Sequence, residues 1–236
     1  MKLLFIPGAG HNSTIWHYQT NYFKNSRGVN LPGHPEGEPC SSLEDYARWL
    51  RQYIVSSKLE DVVLVGHSMG GAVSIVYALN YPGTIKGLVL LGTVGKSRTN
   101  PKFLRIIETG VTRPDVWLDT FVKPHYTRVD PVLRERIVSE IADIGAGVQL
   151  NDFKCVDNFN ILDEVHRIKV PVLIICGSND RMTPVKYSRY LAERFHDAQI
   201  EIIEDGSHVM FIEKPDEVNS VIERYLRKLD TGEVPV

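Results

Sequence analysis

The sequence predicts an α/β fold: a mostly parallel sheet of about six strands with helices on both faces, interrupted by a helical insertion. Three observations carry that prediction. Short apolar runs rich in Val, Ile and Leu alternate with amphipathic segments, as they do where helices cover both faces of a parallel sheet. Residues 96–165 break the alternation with helical patterns and no clear strand. A Gly-x-Ser-x-Gly stretch, Gly66 to Gly70, lies between an apolar run and a helical pattern, which puts a sharp strand-to-helix turn near the middle of the first half.

Strands are predicted over 2–6, 28–31, 61–65, 85–91, 171–176 and 199–203, each a short apolar run bounded by turn residues. Between the second and third, Leu43, Tyr46, Ala47, Leu50 and Ile54 recur at helical spacing, and Ser41-Ser42-Leu43-Glu44 offers a capping box. A helix over 71–81 follows the Gly-rich turn. In the inserted block, Leu133, Ile137, Ile141 and Ile144 fall on one helical face, Pro101, Pro114, Pro124 and Pro131 punctuate it, and Gly145 and Gly147 close it. Thr183 and Pro184 read as the N-cap and first residue of a helix carrying Tyr187, Tyr190, Leu191 and Phe195. Pro215 opens the last helix, with Val218, Ile222, Tyr225, Leu226 and Leu229 on its apolar face, and residues 231–236 read as a frayed tail. The expected organisation is a core of 1–95 and 166–236 with 96–165 as a helical lid. Open α/β sheets bind ligands at the strand C-terminal edge, where such an insertion would pack.

Composition narrows the function. A chain of 236 residues, 43% of them hydrophobic, is long enough to bury a sizeable core. A net charge of −2 and no basic run give no field suited to nucleic acid or an acidic membrane. The three cysteines, Cys40, Cys155 and Cys176, are odd in number and widely spaced, which fits a reduced, cytoplasmic setting better than a disulfide framework or a metal site. No signal peptide or membrane span is read at the start of the chain, no metal or organic cofactor is indicated, and the oligomeric state is not legible.

The Gly66-His67-Ser68-Met69-Gly70 stretch reads as a nucleophile elbow. A strand that turns directly into a helix holds one side chain, Ser68, above the sheet edge, while Gly66 and Gly70 allow the backbone to approach its neighbours. The helix N-terminus then aims unpaired N–H groups at the position of a developing oxyanion, which makes Met69 N–H a candidate donor. A serine hydroxyl needs a base to take its proton and a third group to orient that base. His208, in the loop after the strand over 199–203, is the candidate base. His67 is expected to point away, and His11, His17, His34, His125, His166 and His196 fit less well. Asp180, in the loop after the strand over 171–176, is the candidate orienter. Asp205, three residues from His208, is the rival and reads as a turn residue.

The chain order Ser68, Asp180, His208, together with Phe5-Ile6-Pro7-Gly8-Ala9-Gly10, Leu31-Pro32-Gly33-His34, Gly66 to Gly71, Gly177-Ser178-Asn179-Asp180 with Thr183-Pro184, and Gly206-Ser207-His208 with Glu213-Lys214-Pro215, resembles the α/β-hydrolase superfamily. The likeness is to its compact lidded serine esterases and lactonases and spans nearly the whole chain. It implies a sheet that begins at the family's third strand, without the initial hairpin, and a second oxyanion donor at Ala9 N–H. It implies hydrolysis of small, largely apolar carboxylic esters through an acyl-enzyme, with lactonase, thioesterase or carbon–carbon bond hydrolase as alternatives. A ligand receptor with a retained triad and little turnover is the alternative of another class. A serine at the elbow argues against the relatives that use Asp there, the haloalkane dehalogenases and epoxide hydrolases. Trp16, Val94, Trp117, Phe121, Met182 and Val209 are the expected lining of an apolar substrate pocket.

Overall fold

A computed structural model describes residues 1–231. Six strands, β1 (Lys2–Ile6), β2 (Ser26–Gly28), β3 (Val62–His67), β4 (Gly87–Leu91), β5 (Val172–Gly177) and β6 (Ala198–Ile203), form one sheet in the order β2-β1-β3-β4-β5-β6. Every pairing is parallel, with Phe5 opposite Val65, Val65 opposite Val89 and Val89 opposite Leu173. The loops leaving β1, β3, β5 and β6 therefore open at one edge. The chain runs outward to β2 and returns past β1 to β3, so the reversal of strand order falls between β1 and β3, where open α/β sheets form their ligand crevice.

Both faces of the sheet are buried, with the period of two that a strand imposes. Leu3, Phe5, Val63, Val65, Val89, Leu91, Leu173 and Ile175 point into one core. Leu4, Ile6, Val62, Leu64, Leu88, Leu90, Val172 and Ile174 point into the other. Helices α1 (His17–Tyr22), α9 (Met210–Glu213) and α10 (Pro215–Thr231) supply the first core. Helices α2 (Leu43–Ser56), α3 (Met69–Asn80) and α8 (Val185–Ala192) supply the second. Burial of each large aliphatic side chain stabilises by roughly 1.5–3 kcal/mol, which makes these two layers the main source of cohesion.

Between β4 and β5 the chain forms α4 (Pro101–Gly110), α5 (Pro114–Trp117), α6 (Pro131–Ile144) and α7 (Ala146–Val156), with a wider π-helical turn over Leu118–Val122 and a tighter 3-10 turn over Lys123–Tyr126. Asn100 and Asp130 cap α4 and α6 with their side chains, and Pro101 and Pro131 follow as first residues, where the missing N–H costs nothing. Ile107, Trp117, Phe121, Leu133, Ile137 and Ile141 join the first core.

Local details depart from the sequence reading. Strand β2 spans Ser26–Gly28 rather than 28–31: Val29 N–H makes the last ladder bond, to Phe5 O at 3.0 Å, and Leu31 beyond it is buried by packing in the second core. The cap of α2 is Ser42 and not Ser41: it accepts from Asp45 N–H at 3.1 Å and its hydroxyl donates to Asp45 Oδ2 at 2.8 Å. Pro184 precedes α8 as its cap residue and Thr183 does not cap, since its hydroxyl is engaged by Asp180. Helix α10 runs to Thr231, and the rest of the expected tail, 232–236, lies outside the described residues. None of the described helices is long and apolar enough to cross a membrane.

Candidate active site

Ser68 sits between β3 and α3 with φ 51° and ψ −115°, a left-handed backbone that costs a non-glycine residue on the order of 1–3 kcal/mol. The surroundings hold it there. Ser68 N–H donates to Leu91 O of the neighbouring strand at 2.9 Å, and Ser68 O accepts from Gly71 and Ala72 N–H as the helix begins. A Cβ on Gly66 would lie 2.5 Å from Gly70 O, and one on Gly70 would lie 2.3 Å from Ile6 O. Only glycine permits this crossing of strand, turn and helix.

The loops leaving β5 and β6 are stitched together. Ser178 N–H donates to Ile203 O and Asn179 N–H to Gly206 O, both at 2.9 Å. Across this seam His208 Nδ1–H donates to Asp180 Oδ2 at 2.7 Å, and both residues are buried. Asp180 Oδ1 accepts from Met182 and Thr183 N–H at 2.8 Å, and Oδ2 also accepts from the Thr183 hydroxyl at 2.6 Å. Burial alone would raise the Asp180 carboxyl, but His208 and the Thr183 donors reverse that and hold it well below the usual carboxylate range. Asp205 instead accepts from Arg128 and Asn179 at the exposed side of the loop. With Nδ1 as donor, His208 Nε2 is left as the acceptor nitrogen. Ser68 and His208 line the same two cavities, and no hydrogen bond joins their side chains.

His67, which directly precedes Ser68, packs against the candidate base. Its ring packs 4.7 Å from that of His208 and its Nε2–H donates to His208 O at 3.1 Å, which fixes the backbone of His208 from below. Burial, with the neighbouring histidines, pushes its imidazole far below the ordinary range, so it is neutral.

The loop after β1 lies directly on the elbow: a Cβ on Gly8 would come 3.3 Å from Ser68 Cβ. Among the described residues neither Ala9 N–H nor Met69 N–H is spent in a hydrogen bond. The next residue is anchored, because Gly10 N–H donates to Asp152 Oδ2 of α7 at 2.8 Å. That carboxylate also receives His34 Nε2–H at 2.7 Å and the Tyr46 hydroxyl at 2.8 Å. His34 and Asp152 are both fully buried. Burial pushes the His34 imidazole down, and Asp152 more than reverses it, so His34 stays above the ordinary histidine value.

Two cavities meet at Ser68. One, of about 40 Å³, is closed in by Ala9, Phe121, Val122, Ile141, Phe153 and Val209. The other, of about 350 Å³, includes Met69, Val94, Phe103, Phe159, Met182 and Tyr187 in its lining. Of the expected pocket residues, Val94, Phe121, Met182 and Val209 line these spaces. Trp16 does not, because it is fully buried beneath the site, its ring 4.9 Å from Phe5 and 4.4 Å from Phe211. Trp117 does not either. It fills the space that Gly110 leaves open and donates its indole N–H to Gln149 at 2.8 Å.

The small cavity also holds polar groups that sequence reasoning passed over. His11 Nδ1–H donates to Ala9 O at 2.8 Å, so its Nε2 accepts the hydroxyl hydrogen of Tyr126. Burial pushes the His11 imidazole down to about 4. His125 donates from Nδ1 to Phe121 O and is likewise lowered, chiefly by burial. His11 stands two residues after Ala9, and that proximity was the one signal available. No three His, Cys, Asp or Glu side chains converge as metal ligands among the described residues.

Comparison with known proteins shows what the chain as a whole is similar to. The sequence profile described as the Alpha/beta hydrolase family matches residues 3–221. The AB hydrolase superfamily protein YisY of Bacillus subtilis is 26% identical, over 94% of this chain and 90% of its own length. Proline iminopeptidase of Lactobacillus acidophilus is 26% identical, over 82% of this chain and 74% of its own. Among solved structures, a thermophilic esterase from Thermogutta terrifontis shares the fold with a TM-score of 0.84 at 23% identity, over 97% of this chain and 90% of that one.

Proposed function

Because this chain belongs to the alpha/beta hydrolase family, we propose that it is a serine hydrolase that cleaves carboxylic esters of short acyl groups through an acyl-enzyme. The observation that carries the reading is the His208–Asp180 hydrogen bond at the sheet edge that also bears Ser68. Ser68 Oγ attacks the ester carbon as His208 Nε2 takes its proton, and Asp180 stabilises the resulting imidazolium and keeps the ring in one tautomer. The Ala9 and Met69 N–H groups receive the oxyanion. Each such donor contributes about 3 kcal/mol to the transition state. His208 then returns the proton to the departing alcohol. Water repeats the sequence on the acyl-Ser68 bond and releases the acid.

The cavity of about 40 Å³ has room for an acyl group of about two or three heavy atoms beyond the carbonyl. In this reading residues 1–95 and 166–236 are the catalytic core, and 96–165 is the lid that closes over Ser68. Phe121 and Phe153, which come from that block and line the small cavity, support it. The test is intact-mass analysis after treatment with an organophosphonate, with parallel assay on p-nitrophenyl acetate. One adduct, lost together with activity in Ser68→Ala, is the expected result; undiminished labelling or turnover in that variant removes Ser68 as nucleophile.

A further inference from the structure

The cleft over Ser68 has a charge that the composition conceals. The cavity of about 350 Å³ is lined by Arg98 and Arg181. An adjoining space of about 740 Å³, which shares Ser97, Arg98, Thr183 and Tyr187 with it, adds Lys96 and Lys186. No Asp or Glu lines either space, although the chain has 29 acidic and 27 basic residues. Elsewhere on the surface Arg48, Lys86, Arg128, Arg167 and Arg224 each sit against a carboxylate. Among the described residues the four cations of the cleft form no ion pair. Arg98 donates to the neutral Asn158 Oδ1 at 3.0 Å, and Lys186 Nζ lies 5.0 Å from the centre of the Tyr187 ring.

Asp157 lies behind the lining, where it accepts from Thr99 N–H at 2.9 Å; like charges gathered around a concave space with no carboxylate in its lining create a positive potential that an anion relieves. The guanidinium fork matches a carboxylate in shape as well as sign. Arg181 is tied to the chemistry by its position, one residue after Asp180 on the loop that holds His208, and Arg98 enters from the segment after β4. The smaller cavity that Ser68 also lines has no lysine or arginine in its lining.

We propose that the substrate bears a carboxylate in the portion that fills this cleft, so that the natural esters are anionic and not fully neutral. This rests on the ester-hydrolase reading and names its substrate class. The probes are two pairs in which a free carboxylate is replaced by its methyl ester, O-acetyl-lactate against methyl O-acetyl-lactate and monomethyl succinate against dimethyl succinate, with turnover read per ester as release of acetate in the first pair and of methanol in the second. In at least one pair the anion is expected to have about tenfold higher kcat/KM. The ratio should collapse towards one in Arg98→Gln/Arg181→Gln and persist in Arg113→Gln, which removes one charge away from the cleft. The advantage should also shrink as NaCl is raised from about 0.02 to 0.5 M. Equal or better turnover of the neutral member in both pairs, or a ratio that survives the double substitution, overturns the proposal.

Calorimetric titration of O-acetyl-lactate into Ser68→Ala reads binding without turnover. Binding that is lost with both arginines supports the cleft assignment, and no binding at about 10 mM counts against it. Failure of the wild-type protein to hydrolyse p-nitrophenyl acetate or to form the Ser68 adduct defeats the hydrolase reading instead, and leaves the titration to decide the anion site.

Discussion

Asp180 engages both carboxylate oxygens, two backbone N–H groups on one and Thr183 and His208 on the other. Asn at 180 would present an amide to one side of that arrangement and favour the wrong imidazole tautomer. Asp180→Asn is therefore expected to lower kcat on p-nitrophenyl acetate by about 10⁴. Asp205→Asn, which loses only contacts with exposed Arg128 and Asn179, should stay within about threefold. The opposite ranking would transfer the orienting role to Asp205. Ser68, Asp180 and His208 stood out in the sequence because each follows an apolar strand, and strand ends in a parallel sheet share an edge. His11 did not, since its partner Tyr126 is 115 residues away and belongs to an aperiodic turn. The contact of His67 with His208 was hidden for a similar reason. Alternation along β3 turns it to the opposite side from Ser68, yet the loop of His208 folds down to meet it.

The helical block between β4 and β5 has two kinds of aromatic residue. Phe121 lines the small cavity, while Trp117, four positions earlier, packs inward against Gly110 and Gln149. Phe121→Ala should lengthen the acyl pocket and raise the butyrate-to-acetate ratio of kcat/KM by about tenfold or more. Trp117→Ala should leave that ratio unchanged and instead destabilise the fold by about 3–5 kcal/mol, read by denaturant titration. Constant ratios in a folded Phe121→Ala protein would take Phe121 out of acyl selection. The helix carrying Leu133, Ile137, Ile141 and Ile144 was legible because four buried positions recur at spacings of four and three. Residues 118–126 carry no such period, and for a lone Trp or Phe the sequence cannot tell a core site from a cavity wall. The strand 28–31 was displaced for a related reason: alternation of Val29 and Leu31 marked burial, and beyond the last ladder bond at Val29 that burial was supplied by a loop.

At the scale of the whole molecule, buried histidines set opposing dependences of stability on pH. His11, lowered to about 4, binds fewer protons folded than unfolded between about 4 and the ordinary value of 6.5, so its contribution is lost as pH falls through that window. His67 and His125, also lowered, act in the same direction. His34, raised by Asp152, contributes fully below 6.5 and loses that contribution as pH rises through its folded value. Tm measured by calorimetry is expected to peak near pH 6.5 and to fall on both sides. Each kcal/mol lost lowers it by about 2–4 °C in a chain of this size. A flat profile from pH 4 to 8 would mean that these imidazoles are not held as described. Asp152→Ala should cost about 3–5 kcal/mol at neutral pH, since it strands a buried His34 as well as Gly10 N–H and the Tyr46 hydroxyl. None of this network was visible beforehand, because Gly10, His34, Tyr46 and Asp152 are brought together only by the fold. Its consequence is for modular exchange between relatives: the inserted block is not an interchangeable cap. A chimera that imports a foreign block without a carboxylate at the place of Asp152 would fold its sheet and still release the loop of Ala9, so successful grafts should be those that carry this one acid across.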